Sequence, residues 1–130
     1  AAIGRAQLER LPDFVESRRA NARRLSAGID AASITTPTEA AYKRHSYHQY
    51  TVRSSDRDAL ASDLERVGID TGVYYPTPIH EQPAYDDVES SLPVAERLTR
   101  EVLSVPVHPS LATETVETIA TAINTVVDDE

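Results

Sequence analysis

The chain contains no cysteine, no methionine and no tryptophan, and Phe14 is its one phenylalanine. Without cysteine there is no disulfide, no thiolate nucleophile and no thiolate metal ligand. So few large aromatics leave a core of Val, Ile, Leu and Ala, side chains that fill space but carry no chemistry. Lysine is also nearly absent: Lys43 is the single one among 13 Lys and Arg residues. A Schiff-base lysine needs a desolvating pocket, and Lys43 stands beside Arg44 in a polar approach to a strand. It reads as structural or solvated. The four glycines form no phosphate-cradling loop, and there is no Gly-x-Ser-x-Gly nucleophile elbow. No apolar run approaches the roughly 20 residues of a membrane-spanning helix.

Acid is what the chain has in excess. With 21 acidic residues against 13 basic ones, the net charge is −8. Such a surface repels phosphate backbones, so nucleic acid and anionic membranes are poor partners. Acid excess with one lysine suits a surface working in concentrated salt, where screening relieves self-repulsion. A salt-rich cytoplasm is the expectation. The opening Ala1-Ala2-Ile3-Gly4 has no initiating methionine, which suggests a fragment or a processed product.

Periodicity divides the chain into helices and short strands. Ile3, Leu8, Leu11, Phe14 or Val15, Ala22 and Leu25 recur near the helical period, predicting a helix over 1–27. Pro12 should kink it or open a second helix, and Gly28 should end it as a left-handed cap. Arg18, Arg19, Arg23 and Arg24 read as a solvated basic face. Residues 30–41 read as an irregular connection, and 46–53 as a strand with His48 inside it. Ser55 should cap a helix over 56–67, followed by a strand over 69–75. An acidic loop over 81–91 leads to a helix opened by Pro93, and a short strand over 103–107 is bent or edged by Pro106. A last helix runs over 113–127. This order predicts an α+β, two-layer fold: a small, mostly antiparallel sheet of about three strands, with helices packed on one face.

The stretch Gly68-Ile69-Asp70-Thr71-Gly72-Val73-Tyr74-Tyr75-Pro76-Thr77-Pro78-Ile79-His80 organises the rest. Its two prolines force extended backbone and deliver phenols and an imidazole from a stiff loop, the kind of position that carries binding groups. His45, His48, His80 and His108 share no zinc-type spacing, so no metal site is expected. Read residue by residue, the chain offers polar binding groups and no catalytic centre.

The order of segments resembles a known family. "AAIGRAQLERLPDFVESRRANARRL", "HQYTVR", "LERVGIDTGVYYPTPIHEQPAY" and "LPVAERLTREVLSVPVHPSLATETVETI" are similar, in order and spacing, to the C-terminal part of the DegT/DnrJ/StrS-type aminotransferases. These are pyridoxal-phosphate enzymes of fold type I that aminate keto sugars, usually nucleotide-linked. The resemblance implies that 1–28 is a helix linking from a missing large domain and that 29–130 is the C-terminal small domain. It implies a cytoplasmic homodimer, with its own large domain, an amino-acid donor and a keto-sugar nucleotide as partners. By position Tyr75 and His80 match the loop that closes over the substrate sugar, and His48 and Arg53 match a nearby strand. These four are the candidate substrate-binding residues. Catalytic and cofactor-binding residues are expected on the missing large domain, which would hold the pyridoxal phosphate and the Schiff-base lysine. A non-catalytic sensor or scaffold paralogue, or a free-standing ligand-binding module, remains the alternative.

Overall fold

The computed structural model describes residues 1–85, 87 and 90–128. At 86, 88 and 89 the expected acidic loop falls outside the described residues. The elements in chain order are α1 (Ala2–Gly28), β1 (Tyr50–Arg53), α2 (Arg57–Arg66), α3 (Pro93–Glu101), β2 (Val102–Val105) and α4 (Thr113–Asp128).

The sheet is narrower than expected. β1 and β2 pair antiparallel, with Tyr50 opposite Val105 and Arg53 opposite Val102. One rung extends it on each side: Thr35 pairs with Arg53, and Gly72 with Ser104. The stretch 69–75, read as a strand, therefore reaches the sheet edge at one rung. Asp70 and Gly72 are poor strand formers, and Pro76 and Pro78 have no N–H to pair. The strand expected over 46–53 begins only at Tyr50, because Tyr47 takes a left-handed φ of 47° that breaks the ladder. His48 consequently lies ahead of β1 on a bend. β2 is likewise shorter than expected, ending at Val105 before Pro106.

Alternation along the strands decides the layers. Tyr50, Val52, Leu103 and Val105 are buried and join one cluster with Ala22 and Leu25 of α1, Leu60 and Leu64 of α2, and Val116, Ile119 and Ile123 of α4. Each fully buried Leu or Ile contributes about 1.5–3 kcal/mol. On the alternate positions the Thr51 and Ser104 hydroxyls hydrogen-bond across the strands at 2.8 Å.

Local endings refine the sequence reading. α1 continues through Pro12; its first ten residues are exposed, so solvent can take the carbonyl freed at Leu8. Gly28 is not a left-handed cap but the last residue of α1, followed by extended Ile29. Its missing side chain admits α4, because a Cβ at 28 would lie 2.9 Å from the Ala120 Cβ. Asn124 closes the helix end. Its amide donates to the Gly28 carbonyl at 2.8 Å and its oxygen accepts the Asp30 and Ala31 N–H groups at 3.1 and 3.3 Å. Gly68 is the true left-handed stop, at φ 84°. The Ile69 N–H returns to the Leu64 carbonyl at 2.9 Å, a Schellman closure. The cap of α2 is Asp56 rather than Ser55, accepting the Ala59 N–H at 3.4 Å.

Candidate functional site

Two neighbouring features carry the polar groups: the proline loop and a groove at the sheet edge. In the loop, Tyr74 and Tyr75 are 60% and 74% exposed. Extended Pro78 then opens a short 3-10 turn, Ile79–Glu81. That turn rotates the next polar group inward: the His80 side chain is only 10% exposed. Its Nε2 lies 3.1 Å from Glu96 Oε1, an oxygen that also accepts the Leu92 N–H at 2.8 Å. The Leu92 N–H, and after it His80, hold the Glu96 carboxyl below its usual range against a smaller cost of burial. His80 Nδ1 is buried with no hydrogen-bond partner among the described residues. His80, Glu81 and Glu96 bring one donor atom each within 4.8 Å of one another. Glu96 Oε1 is already engaged twice, so the group works as a hydrogen-bonded clasp between loop and helix.

The groove encloses about 380 Å³ and is lined in part by Arg18, His48, Asp70, Tyr74 and His108. Gly72 belongs here because the Tyr74 ring lies over it; a Cβ would stand 3.0 Å from Tyr74 Cε2. Asn21 is buried on α1 and donates to the His108 carbonyl at 2.9 Å, while His108 Nδ1 accepts the Ser110 N–H at 3.2 Å. Arg18 has no carboxylate within ion-pair distance among the described residues. In a chain of net charge −8, the groove gathers the Arg18 guanidinium and two imidazoles around the Asp70 carboxylate.

His48 is held in place by the segment before it. The Arg19 guanidinium grips the Glu39 carboxylate with bonds of 2.6 and 3.0 Å and donates to the His45 carbonyl at 2.7 Å. Glu39 also accepts the His45 N–H. These contacts, Arg19 foremost, lower the Glu39 pKa to about 2. The Tyr47 N–H then donates to His45 Nδ1 at 3.0 Å, and the Tyr47 ring stacks on Tyr50 at 6.3 Å. The arginines read as one solvated face therefore divide: Arg19 fastens this loop, Arg18 lines the groove, and Arg23 pairs with Glu16.

Of the four residues singled out from sequence, His48 lines the groove, Tyr75 stands exposed on the loop and His80 turns inward. Arg53 is not among the groove's lining residues. Its Nε and Nη2 donate to Glu101 Oε2 at 3.0 and 2.6 Å, fastening β1 to the end of α3. Sequence reasoning missed Arg18, Tyr74 and His108 as a group. The signal was the alternation of Asp70, Gly72 and Tyr74 beside a strand edge. Lys43 is exposed, its ammonium 5.6 Å from the Tyr42 ring. Among the described residues, no histidine nitrogen meets a serine or threonine hydroxyl and no helix is long and apolar enough to cross a membrane. The arrangement can bind and orient a hydroxylated, anionic ligand.

Known proteins share this arrangement of elements. A protein of Geobacillus stearothermophilus described as a pleiotropic regulatory protein is 38% identical over 120 residues, covering 88% of this chain and 32% of its own length. The UDP-2-acetamido-2-deoxy-3-oxo-D-glucuronate aminotransferase of Pseudomonas aeruginosa is 32% identical over 123 residues, covering 95% and 34%. The crystal structure of an aminotransferase from Streptoalloteichus hindustanus superposes with a TM-score of 0.89 at 37% identity, over 98% of this chain and 35% of that one. The chain thus spans about a third of the length of the relatives it matches. Since the family model itself matches residues 1–124, nearly everything from α1 to α4, the chain belongs to the DegT/DnrJ/EryC1/StrS aminotransferase family.

Proposed function

We propose that this chain is the C-terminal small domain of a pyridoxal-phosphate-dependent aminotransferase acting on a nucleotide-linked keto sugar. In this reading it shapes the substrate side of the site. The family match along 1–124, on a chain a third the length of its relatives, carries the reading. The exposed Tyr75 phenol offers a hydrogen bond to a sugar hydroxyl or a diphosphate oxygen. His48 and Arg18 supply an imidazole and a cation suited to the diphosphate. Arg53 keeps the sheet edge in place through Glu101. Lys43, exposed and beside Arg44, lacks the desolvation a Schiff-base lysine needs. The cofactor is therefore assigned to the part of the enzyme beyond these residues; when bound, it supplies the electron sink for amino transfer. The same reading takes the whole enzyme as a homodimer in a salt-rich cytoplasm, from the family for the dimer and from the acid excess for the salt.

Tyr75→Phe in the whole enzyme tests the assignment. One hydrogen bond lost should raise the KM for the keto sugar about two- to tenfold with kcat nearly unchanged; an unchanged KM removes Tyr75 from the substrate contact. A second reading, a non-catalytic regulator, is favoured by the description of the 38% identical relative. Borohydride reduction followed by intact mass of the natural gene product separates the two. A longer chain carrying a reduced pyridoxal-phosphate adduct supports the enzyme, and one without it supports the regulator. An unmodified product near 14.3 kDa would instead point to a free-standing binding module.

A further inference from the structure

We infer that Glu96 is a positioning residue for the substrate loop, acting through a hydrogen bond that it accepts from His80 Nε2–H. The kinetic part of this inference rests on the function proposed above; the hydrogen bond does not. Glu96 Oε1 accepts the Leu92 N–H at 2.8 Å and faces His80 Nε2 at 3.1 Å. An ionised carboxylate only accepts, so Nε2 must carry the proton. The other ring nitrogen, Nδ1, is buried with no hydrogen-bond partner among the described residues. The geometry therefore fixes a proton on Nε2, facing Glu96.

This arrangement makes the ring a peg rather than a free ligand. Glu96 sits in the first turn of α3, which is itself fastened: the buried end of Arg57 donates to the Thr99 and Val102 carbonyls at 3.3 Å each. Of the four residues between Tyr75 and His80, two are the prolines Pro76 and Pro78, whose φ angles are fixed. Few soft dihedrals thus separate the clasp from the exposed phenol. Pinning His80 pins the approach of Tyr75, and that order no longer has to be imposed when substrate binds. Glu81, 3.8 Å from Nε2, lies outside hydrogen-bond distance and is half-exposed. It is not the residue that sets the proton.

The test uses the whole protein with ¹⁵N-labelled histidine, the His80 signals being assigned by comparison with His80→Phe. The wild type should show Nε2 protonated. Glu96→Ala should give a rapidly exchanging tautomer mixture, Glu96→Gln should restore the single form because its amide oxygen still accepts, and Glu81→Gln should leave it alone. With a UDP- or dTDP-linked 3-keto sugar as substrate, Glu96→Ala should raise that KM about three- to tenfold. The KM for the amino donor and kcat should stay within about twofold. His80→Phe, which keeps an aromatic ring and the Glu96–Leu92 bond, should repeat the kinetic change without fraying α3. A wild type with Nε2 bare, or a single tautomer surviving in Glu96→Ala, overturns the clasp. Loss of the tautomer with the sugar KM unmoved overturns the positioning role. A protein that aminates no sugar removes the functional proposal, and the tautomer measurement then decides the clasp by itself.

Discussion

The two ends of α1 teach the most when set side by side. At its C-terminal end Ala22 and Leu25 are 1% and 0% exposed against the sheet and α4, whereas Ile3 and Leu8 at the other end are 78% and 62% exposed. Residue types and helical spacing are the same at both ends; among the described residues, only the C-terminal end has a neighbour. The proline loop resembles the exposed end, with Tyr75 and Ile79 standing 74% and 70% open. Apolar periodicity therefore reports that a stretch forms a helix with a face. It does not report what the face meets.

The comparison breaks most sharply in the core. Leu64→Ala, at a position fully buried among α2, α4 and the sheet, should destabilise the chain by about 2–5 kcal/mol in chemical denaturation. A loss below 1 kcal/mol would mean the buried end is no better packed than the open one. Next comes Gly28→Val, which forces side-chain atoms toward the Ala120 Cβ and should cost about 1–3 kcal/mol by pushing α1 and α4 apart. Asn124→Ala removes the latch on the Gly28, Asp30 and Ala31 backbone, for about 1–3 kcal/mol with those groups left short of partners.

Acid sharpens the comparison through Glu39. Its folded pKa is depressed to about 2 from the ordinary 4.5. The stability it contributes is thus fully present above the ordinary value and is lost as pH falls from about 4.5 through about 2. Glu39→Gln should weaken the chain at neutral pH and flatten the acid limb of its unfolding profile across that window. An unchanged limb would show that Arg19 does not hold the 39–47 segment. The smallest effect belongs to Leu8→Ser, within about 0.5 kcal/mol in this chain. Repeated in the whole enzyme, the same substitution should cost about 1.5–3 kcal/mol if a further domain buries that leucine.

How far the site was legible follows from the same contrast. The proline loop was visible because Pro76 and Pro78 act through covalent geometry, which needs no neighbour. The inward placement of His80 was not, because the ring meets Glu96, sixteen residues on and in another helix. Arg18 and Arg19 are adjacent in sequence and similar in chemistry, yet one lines a groove while the other grips Glu39. A helix turns about 100° per residue, so neighbours point to different surroundings, and only packing says which matter.

Taken alone, the sequence determined the four helices and the α+β class with helices over one face, which rest on local periodicity and capping carried within a few residues. The family came from the resemblance of its ordered segments to known proteins. Tertiary structure alone decided that the sheet holds two strands flanked by single rungs, and that Gly28 serves helix contact rather than helix ending. It also decided that Arg53 and His80 are fastened to glutamates of α3. Those outcomes depend on groups that approach from distant parts of the chain, and distance along a sequence carries no record of closeness in space.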